Sequence, residues 1–147
     1  MGAHEGIYRG ALRKKPVMPF RGRVRVTSPF GWRMLNGAKD FHNGVDLVGV
    51  DGTDIVSPLD GTVIMAGYGT ECGNQIQVYT RFGRTLFFCH MKTLSVRAGE
   101  TVIQGQKLGV MGATGTKCFG AHLHFGVYEG KGRSGKVLDA EKFLNLK

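Results

Sequence analysis

Residues 120–128, Gly-Ala-His-Leu-His-Phe-Gly-Val-Tyr, decide the fold that this sequence predicts. If they form a β-strand, their bulky apolar side chains share one face, because successive side chains of a strand point to opposite sides. The apolar set is Leu123, Phe125 and Val127. The other face then carries His122, His124 and Tyr128, with the two imidazoles roughly 6–7 Å apart along the backbone. One face can therefore enter a core while the other presents two potential metal ligands.

The composition predicts a single all-β domain. The chain has 147 residues, which is enough for one domain with its own core. Its 24 glycines, against four prolines, separate short β-favouring runs and indicate frequent turns. We expect an irregular N-terminal arm over residues 1–20 and a compact domain of mainly antiparallel sheet over residues 21–147.

Alternation and turn residues place the individual elements. We expect a loop over residues 34–41, a tight hairpin connection at 81–83, and a short helix within residues 138–146 with Asp139 as its N-cap. The predicted strands cover residues 21–27, 54–58, 61–67, 74–80, 84–91, 107–112 and 122–128.

Charge and targeting signals limit the partners. The net charge of +9 attracts polyanions, and both nucleic acid and an anionic cell-wall polymer fit that charge. The first sixteen residues lack the apolar segment of a signal peptide, and no apolar run approaches the ~20 residues of a membrane span. We expect a soluble chain that is cytosolic as made, exported by another route, carried on a virion or excised from a longer protein.

Four of the five histidines, together with one carboxylate, indicate a metal centre. His42 and Asp46 are four residues apart, about 13 Å in a straight strand, and Gly44 permits a bend that would bring them together. A catalytic zinc site uses three protein ligands and keeps a fourth position open. His42, Asp46 and either His122 or His124 give that count, and spacing alone does not choose between the last two.

Two imidazoles then remain without a metal-binding role, namely His90 and the other member of the pair at 122 and 124. Uncoordinated imidazoles beside a metal site are suited to proton transfer and to stabilising an oxyanion. His4 falls in the arm and is interpreted as incidental.

A series of ordered motifs identifies a resemblance. Thr-Ser-Pro-Phe-Gly-Trp-Arg at 27–33, His-Asn-Gly-Val-Asp at 42–46 and Ala-His-Leu-His-Phe at 121–125 are similar to the motifs of lysostaphin-type peptidoglycan zinc endopeptidases. The likeness extends from residue 27 to about residue 128. Further matching stretches lie at 57–58, 60–63, 73–74, 88–91, 96–99, 105–109 and 112–115.

The resemblance implies a role for each candidate residue. By it, His42, Asp46 and His124 bind Zn²⁺, and His90 and His122 are the catalytic pair. The implied activity is hydrolysis of peptide bonds in the stem peptide or cross-bridge of bacterial peptidoglycan, by a zinc-bound water in a narrow groove walled by loops. The enzyme is expected to act at the cell wall as a monomer, either secreted, released by a phage or associated with a virion.

The cysteines depart from the family pattern. No Cys-x-x-Cys pair occurs, so we do not expect a zinc site built from thiolates. Cys89 precedes the catalytic His90 and is interpreted as a buried thiol that points into the core, away from that histidine. Cys72 and Cys118 lie in Gly-rich loops that correspond to two walls of the groove, and we expect a disulfide between them in an oxidising compartment.

Two other functions compete with the enzyme. A non-catalytic module of the same fold would bind or regulate at the cell wall, but the intact set of five candidate residues argues against it. Nucleic-acid binding depends on charge alone, and no aromatic-basic signature supports it, so no nucleic-acid partner is expected.

Overall fold

The computed structural model describes residues 14–116, 118 and 120–147, and it confirms the predicted all-β domain. The only α-helix of that part of the chain is α1 (Ala140–Phe143), and Asp139 is its N-cap, as predicted. The strands are β1 (Arg25–Ser28), β2 (Gly31–Leu35), β3 (Ala38–His42), β4 (Val45–Val48), β5 (Asp54–Val56), β6 (Gly61–Gly69), β7 (Gly73–Thr80), β8 (Arg84–Leu94), β9 (Thr101–Val102), β10 (Lys107–Met111), β11 (Leu123–Glu129) and β12 (Val137–Leu138).

One antiparallel sheet organises the molecule. Its strands lie in the order β1-β4-β11-β8-β7-β6-β9, with β12 added to β11 and the β5–β10 pair added to the end of β8. The predicted strand at 122–128 is therefore central, between β4 and β8. No helix within the described ranges has the length and apolar character that crossing a membrane requires.

The two faces of β11 differ as the alternation predicts. Leu123, Phe125 and Val127 are at most 1% exposed and belong to the main core. Phe125 packs against Phe88 of β8 with ring centroids 5.3 Å apart. Tyr128, on the opposite face, belongs to a second, smaller apolar cluster. The main core thus fixes the sheet from one side and leaves the other side for the histidines.

The expected loop over residues 34–41 is wrong, because these residues belong to the β2–β3 hairpin. The strands are joined by Asn36 and Gly37, whose φ angles are +52° and +80°. Asn-Gly is the dipeptide preferred in two-residue hairpin turns, since both central residues need a positive φ. The local signal was present in the sequence, and the hairpin carries His42 to the large sheet.

The N-terminal arm lies partly outside the described residues, which begin at residue 14, so His4 is not placed. Residues 14–20 contain no helix or strand, yet Phe20 is 1% exposed and belongs to the main core. The amide of Val56 donates to the carbonyl of Pro19 at 2.7 Å. The last residues of the predicted arm therefore pack against the domain.

The expected Cys72–Cys118 disulfide is wrong. Cys72 is bonded to Cys89, and Cys118 is a free thiol. Cys72 lies in the turn between β6 and β7, and its carbonyl accepts a hydrogen bond from the amide of His90 at 2.8 Å, so the turn sits against this part of β8. Cys89 is buried as predicted, but the expected thiol in the core is wrong: Cys89 is half of a disulfide and belongs to the smaller apolar cluster. It lies directly opposite His124 in the β8–β11 ladder and shares that residue's face.

Loss of the disulfide is expected to destabilise the domain without unfolding the site. The bonded cysteines are separated by 17 residues, and closing a loop of that size stabilises a fold by about 3 kcal/mol. The Cys72→Ser, Cys89→Ser double variant should therefore melt several degrees lower, whereas Cys118→Ser should not. Thiol titration of the unfolded, unreduced chain should find one free thiol, and three free thiols with an unchanged melting temperature after reduction would contradict the pairing.

Candidate metal centre

Strand register brings the first two candidate ligands together. In the β4–β11 ladder Asp46 lies directly opposite His124. Directly opposed residues of an antiparallel pair project to the same face with their Cβ atoms close together. As a result the Asp46 Oδ1 atom is 3.0 Å from His124 Nδ1. The sheet itself therefore positions a carboxylate beside an imidazole.

His42 reaches the same point from the end of β3. Residues 43 and 44 turn the chain into β4, and His42 Nε2 lies 3.3 Å from Asp46 Oδ1. The expected bend at Gly44 is confirmed. The structure shows why glycine fits there: a Cβ atom would be 2.3 Å from the carbonyl oxygen of Phe125 and 3.0 Å from the ring of His124.

The three atoms form a triangle of the size that a metal ion needs. His42 Nε2 and His124 Nδ1 are 3.2 Å apart, which completes edges of 3.0 and 3.3 Å to Asp46 Oδ1. Ligands at the usual zinc distances of about 2.0–2.2 Å, in tetrahedral arrangement, are separated by about 3.3 Å. Two imidazole nitrogens and one carboxylate oxygen are also a donor set that Zn²⁺ prefers. The geometry and the chemistry both fit this ion.

Backbone contacts orient the ligands. His42 Nδ1 lies 2.9 Å from the Pro29 carbonyl, which can only accept, so this nitrogen carries the proton and Nε2 presents its lone pair. Such a partner on the other ring nitrogen is usual for metal-binding histidines. The Ser28 hydroxyl, which accepts a hydrogen bond from Arg33, lies 3.5 Å from the same Nδ1 atom.

Electrostatics keep the carboxylate ionised and one imidazole neutral. Burial alone would raise the pKa of Asp46, but its close contacts with the His124 and His42 imidazoles hold that pKa well below its usual range. Burial lowers the pKa of His124, an effect that the neighbouring Asp46 partly offsets. An ionised carboxylate and a neutral imidazole are the forms that bind metal ions.

His90 is turned toward the centre by an irregularity in β8. Between Phe88 and Met91 the β7–β8 ladder has an extra residue on β8, and His90 has a φ of +66°. A bulge of this kind redirects a side chain. The His90 ring lies 4.8 Å from the ring of His122 and 6.3 Å from that of His124. The expectation that Cys89 and His90 point to opposite sides is therefore wrong.

The two remaining imidazoles lie together at one side of the triangle. His122 precedes β11, its Nδ1 atom lies 2.9 Å from the Gly120 carbonyl, and its Nε2 atom lies 3.8 Å from Asp46 Oδ1. His90 Nδ1 donates to the Thr114 carbonyl at 2.7 Å. Burial lowers the pKa of His90, although this backbone bond partly counters the effect. Each imidazole thus donates its Nδ1 proton to a backbone carbonyl and keeps an Nε2 lone pair that can accept a proton.

Cys118 also reaches this side of the centre. Its thiol donates to the Gly120 carbonyl at 3.0 Å and lies 3.4 Å from His122 Nδ1. Burial raises the pKa of this thiol, so it is a protonated donor in the metal-free protein. The structure thus groups all five predicted site residues, and it adds the free thiol of Cys118, for which the sequence predicts a disulfide.

Sequence reasoning did not find the residue that fixes the turn at Pro29 and Phe30, which orients the His42 ring. Glu141 of α1 is 6% exposed, and its Oε1 atom accepts a hydrogen bond from the amide of Phe30 at 2.8 Å. Phe30 follows Pro29, whose carbonyl orients His42. The two partners are 111 residues apart, and no local pattern relates a C-terminal glutamate to this turn.

Removing the hydrogen bond from the Phe30 amide to the Glu141 carboxylate is expected to weaken metal binding. Glu141→Leu leaves the Phe30 amide without its acceptor and loosens the turn, so affinity for Zn²⁺ should fall by about tenfold, the lower end for residues that orient ligands. Glu141→Gln keeps an acceptor oxygen and is the matched control, with near-normal affinity. Competition with a coloured chelator measures both, and equal zinc affinities for the two variants would contradict the positioning role.

Comparison with known proteins agrees with this geometry. A family model described as Peptidase family M23 matches residues 40–139, more than half of the chain. The chain belongs to peptidase family M23. The M23 match includes every predicted site residue. These residues are His42, Asp46, His90, His122 and His124. Glu141 and the turn at Pro29 lie outside the M23 match.

Individual proteins also resemble this chain in sequence and in structure. Peptidoglycan DD-endopeptidase ShyC of Vibrio cholerae is 38% identical over 106 residues, which are 69% of this M23 chain and 24% of ShyC. The catalytic domain of the antimicrobial peptidase lysostaphin from Staphylococcus simulans matches with a TM-score of 0.73 at 28% identity, over 84% of this chain and 92% of that one. A zinc-containing peptidase from Vibrio cholerae matches with a TM-score of 0.72 at 30% identity, over 86% of this chain and 38% of that one. The chain spans less than a third of the length of the curated relatives it matches first.

Proposed function

We propose that this chain is a zinc metalloendopeptidase that hydrolyses peptide bonds in bacterial peptidoglycan. The observation that carries the proposal is the triangle of donor atoms from His42, Asp46 and His124, with two further imidazoles at one side of it. Membership of family M23 and the likeness to ShyC and to lysostaphin support the substrate class.

The proposed ligand atoms are His42 Nε2, Asp46 Oδ1 and His124 Nδ1. When bound, Zn²⁺ supplies Lewis acidity, which lowers the pKa of a coordinated water to about 7 and polarises the carbonyl of the scissile bond. The residues of this chain hold the three donor atoms in place before binding, because the sheet register and the Pro29 carbonyl already orient them. Little rearrangement is then needed to load the site.

His90 and His122 are the proposed proton carriers. Their Nδ1 protons are donated to the carbonyls of Thr114 and Gly120, so the Nε2 lone pairs accept a proton from the attacking water and return it to the leaving amine. The lowered pKa of His90 favours the neutral form that a base requires. An imidazole that has taken up a proton becomes an Nε2–H donor, which suits it to stabilise the oxyanion. Either residue can take either role.

Positive charge supports attraction to anionic wall polymers. Beyond the net charge of +9, Arg21, Arg23 and Arg25 are exposed at alternate positions leading into β1. Attraction between exposed charges weakens with salt, so binding to walls rich in such polymers should be salt-sensitive. The proposed place of action is the cell wall, which the protein reaches by secretion, by phage release or on a virion, and it acts there as a monomer.

Digestion of purified peptidoglycan tests the function. Protein loaded with one equivalent of Zn²⁺ should release fragments whose masses show a new amine and a new carboxylate at one peptide bond. Two substrates, one with glycine-rich cross-bridges and one with direct cross-links, identify which bond is cut. A chelator should stop release, and Zn²⁺ should restore it. Binding to both substrates without any new fragment would overturn the proposal and favour the non-catalytic module.

A further inference from the structure

Arg133 lies beside the candidate metal centre. Its guanidinium carbon is 3.8 Å from the centroid of the Phe87 ring and 5.4 Å from that of the Tyr128 ring. Phe87 lies directly opposite Gly126 in the β8–β11 ladder, so its ring shares the face of His124. The centroids of the Phe87 and His124 rings are 6.2 Å apart. The guanidinium therefore lies within about 10 Å of the His124 ring, the length of roughly three residues of an extended peptide.

The loop that carries Arg133 is fixed to the sheet. Residues 130–136 connect β11 to β12, and a buried hydroxyl of β8, that of Thr85, holds the first half of this loop. The Thr85 hydroxyl donates to the Gly130 carbonyl at 2.7 Å and accepts from the Gly132 amide at 2.8 Å. Arg133 follows directly, and stacking on Phe87 restrains the far end of its side chain. The guanidinium is thus oriented before any ligand binds.

The charge of Arg133 is left without an opposite charge beside it. Between Glu129 and Asp139 the chain has three cationic residues and no acidic one. Glu129 pairs with Arg84 at 3.8 Å. Asp139 pairs with Lys147 at 2.9 Å. Among the residues that the structure describes, no carboxylate forms an ion pair with Arg133. Because a guanidinium stacks through its flat face, its N–H groups point sideways, away from the ring, and are placed to donate.

We propose that Arg133 binds a free carboxylate of the substrate, within about three residues of the bond that is cut, and so selects stem peptides that carry such a group over glycine-rich cross-bridges. The planar fork of N–H donors matches the two oxygens of a carboxylate. Stacking on Phe87 reduces the conformational freedom that the side chain loses on binding. A glycine residue has no side chain and offers no second carboxylate. This inference rests on the proposed function and names its substrate more closely.

The proton carriers and Arg133 lie at different positions along β11. His122 precedes the strand and His90 lies beside it, whereas Phe87 is level with Gly126, further along. A peptide that follows β11 across the centre therefore meets the imidazoles on one side of His124 and the guanidinium on the other. Loss of the guanidinium should change the choice of substrate and leave proton transfer intact.

Paired substrates test the selectivity. The probes are a directly cross-linked stem-peptide dimer with free carboxylates and the same dimer with its carboxylates converted to amides. For the parent protein, kcat/KM should be at least about tenfold higher on the carboxylate form, because paired hydrogen bonds between charged groups are strong. Arg133→Gln should cut both forms at the rate at which the parent protein cuts the amide form. Lys131→Gln removes the same charge from the same loop and should keep the parent's preference.

The ratio of the two rates is measured in one protein sample, so it does not depend on the fraction of each variant that is folded. Equal rates of the parent protein on the two forms would overturn the inference. It would also be overturned by an unchanged preference in Arg133→Gln, or by the same loss of preference in Lys131→Gln, since that loss would reflect net charge alone.

Binding separates this inference from the proposed function. Zinc-loaded His90→Ala, which should turn the dimers over slowly, is expected to bind the carboxylate form at least about tenfold more tightly than the amide form in calorimetry. Adding Arg133→Gln to that variant should make the two affinities equal. If the parent protein cleaves neither dimer, the proposed function fails, and the same calorimetry still decides the role of Arg133. Equal affinities of His90→Ala for the two forms would overturn that role.

Discussion

Asp46→Ala is expected to lose both the bound metal and all measurable peptidoglycan cleavage. Asp46 Oδ1 is the corner of the donor triangle that lies 3.0 and 3.3 Å from the two imidazole nitrogens. Its removal leaves two ligands where a catalytic zinc site needs three, and it also removes the partly buried negative charge that favours a cation. His42→Ala should behave in the same way, because it deletes a second corner.

Metal content and activity must be measured together in these variants. Zinc per chain, measured by elemental mass spectrometry after dialysis, should fall from about one equivalent to none. Added Zn²⁺ should raise the melting temperature of the parent protein but not that of the variants, since only the folded state binds the ion. Asp51→Asn is the matched control, because Asp51 is 62% exposed and pairs only loosely with Lys92 at 3.9 Å. Normal zinc content and cleavage in Asp46→Ala would contradict the ligand assignment.

His90→Ala and His122→Ala are expected to separate catalysis from metal binding. Neither residue belongs to the donor triangle, so each variant should keep about one equivalent of Zn²⁺. Loss of a positioned proton carrier lowers rates by about 10²- to 10⁴-fold, and the loss of oxyanion stabilisation adds to this effect. Turnover on a defined muropeptide should therefore fall by at least two orders of magnitude, with little change in melting temperature.

The N-terminal histidine provides the control for that pair. His4→Ala changes the same residue type outside the predicted site and should retain full turnover. If His90→Ala and His122→Ala both kept turnover within a few-fold of the parent protein, the proton-carrier assignment would be wrong. If they lost zinc, they would belong to the ligand set instead.

The central strand was predictable because one physical rule governs it. Alternation in residues 120–128 separates the core side chains from the histidines, and the structure keeps that separation in β11. The pairing of Asp46 with His124 depends on the register between β4 and β11, which no local pattern records. The resemblance to a family, rather than spacing, supplied the choice of His124 over His122.

The errors have local physical causes. The expected loop over residues 34–41 is wrong because Asn36-Gly37 is a standard hairpin dipeptide, and both residues have a positive φ. The disulfide was misassigned because a bulge in β8, with a positive φ at the non-glycine residue His90, changes which side chains share a face. Alternation cannot foresee such a bulge. The expected narrow groove stays a prediction.

The hydrogen bond between Glu141 and Phe30 illustrates a second limit of sequence reasoning, which is contact between residues far apart in the chain. A buried carboxylate near the C-terminus fixes a turn near the N-terminus, and that turn orients a proposed zinc ligand. Each contact is ordinary by itself, and only the three-dimensional arrangement relates them.

A crystal structure of the protein with one equivalent of Zn²⁺, recorded at the zinc absorption edge, tests the central claim most directly. We predict a single anomalous peak about 2.0–2.2 Å from His42 Nε2, Asp46 Oδ1 and His124 Nδ1. A peak bound instead by His90, Cys118 and His122, or no peak within bonding distance of Asp46, would contradict the account.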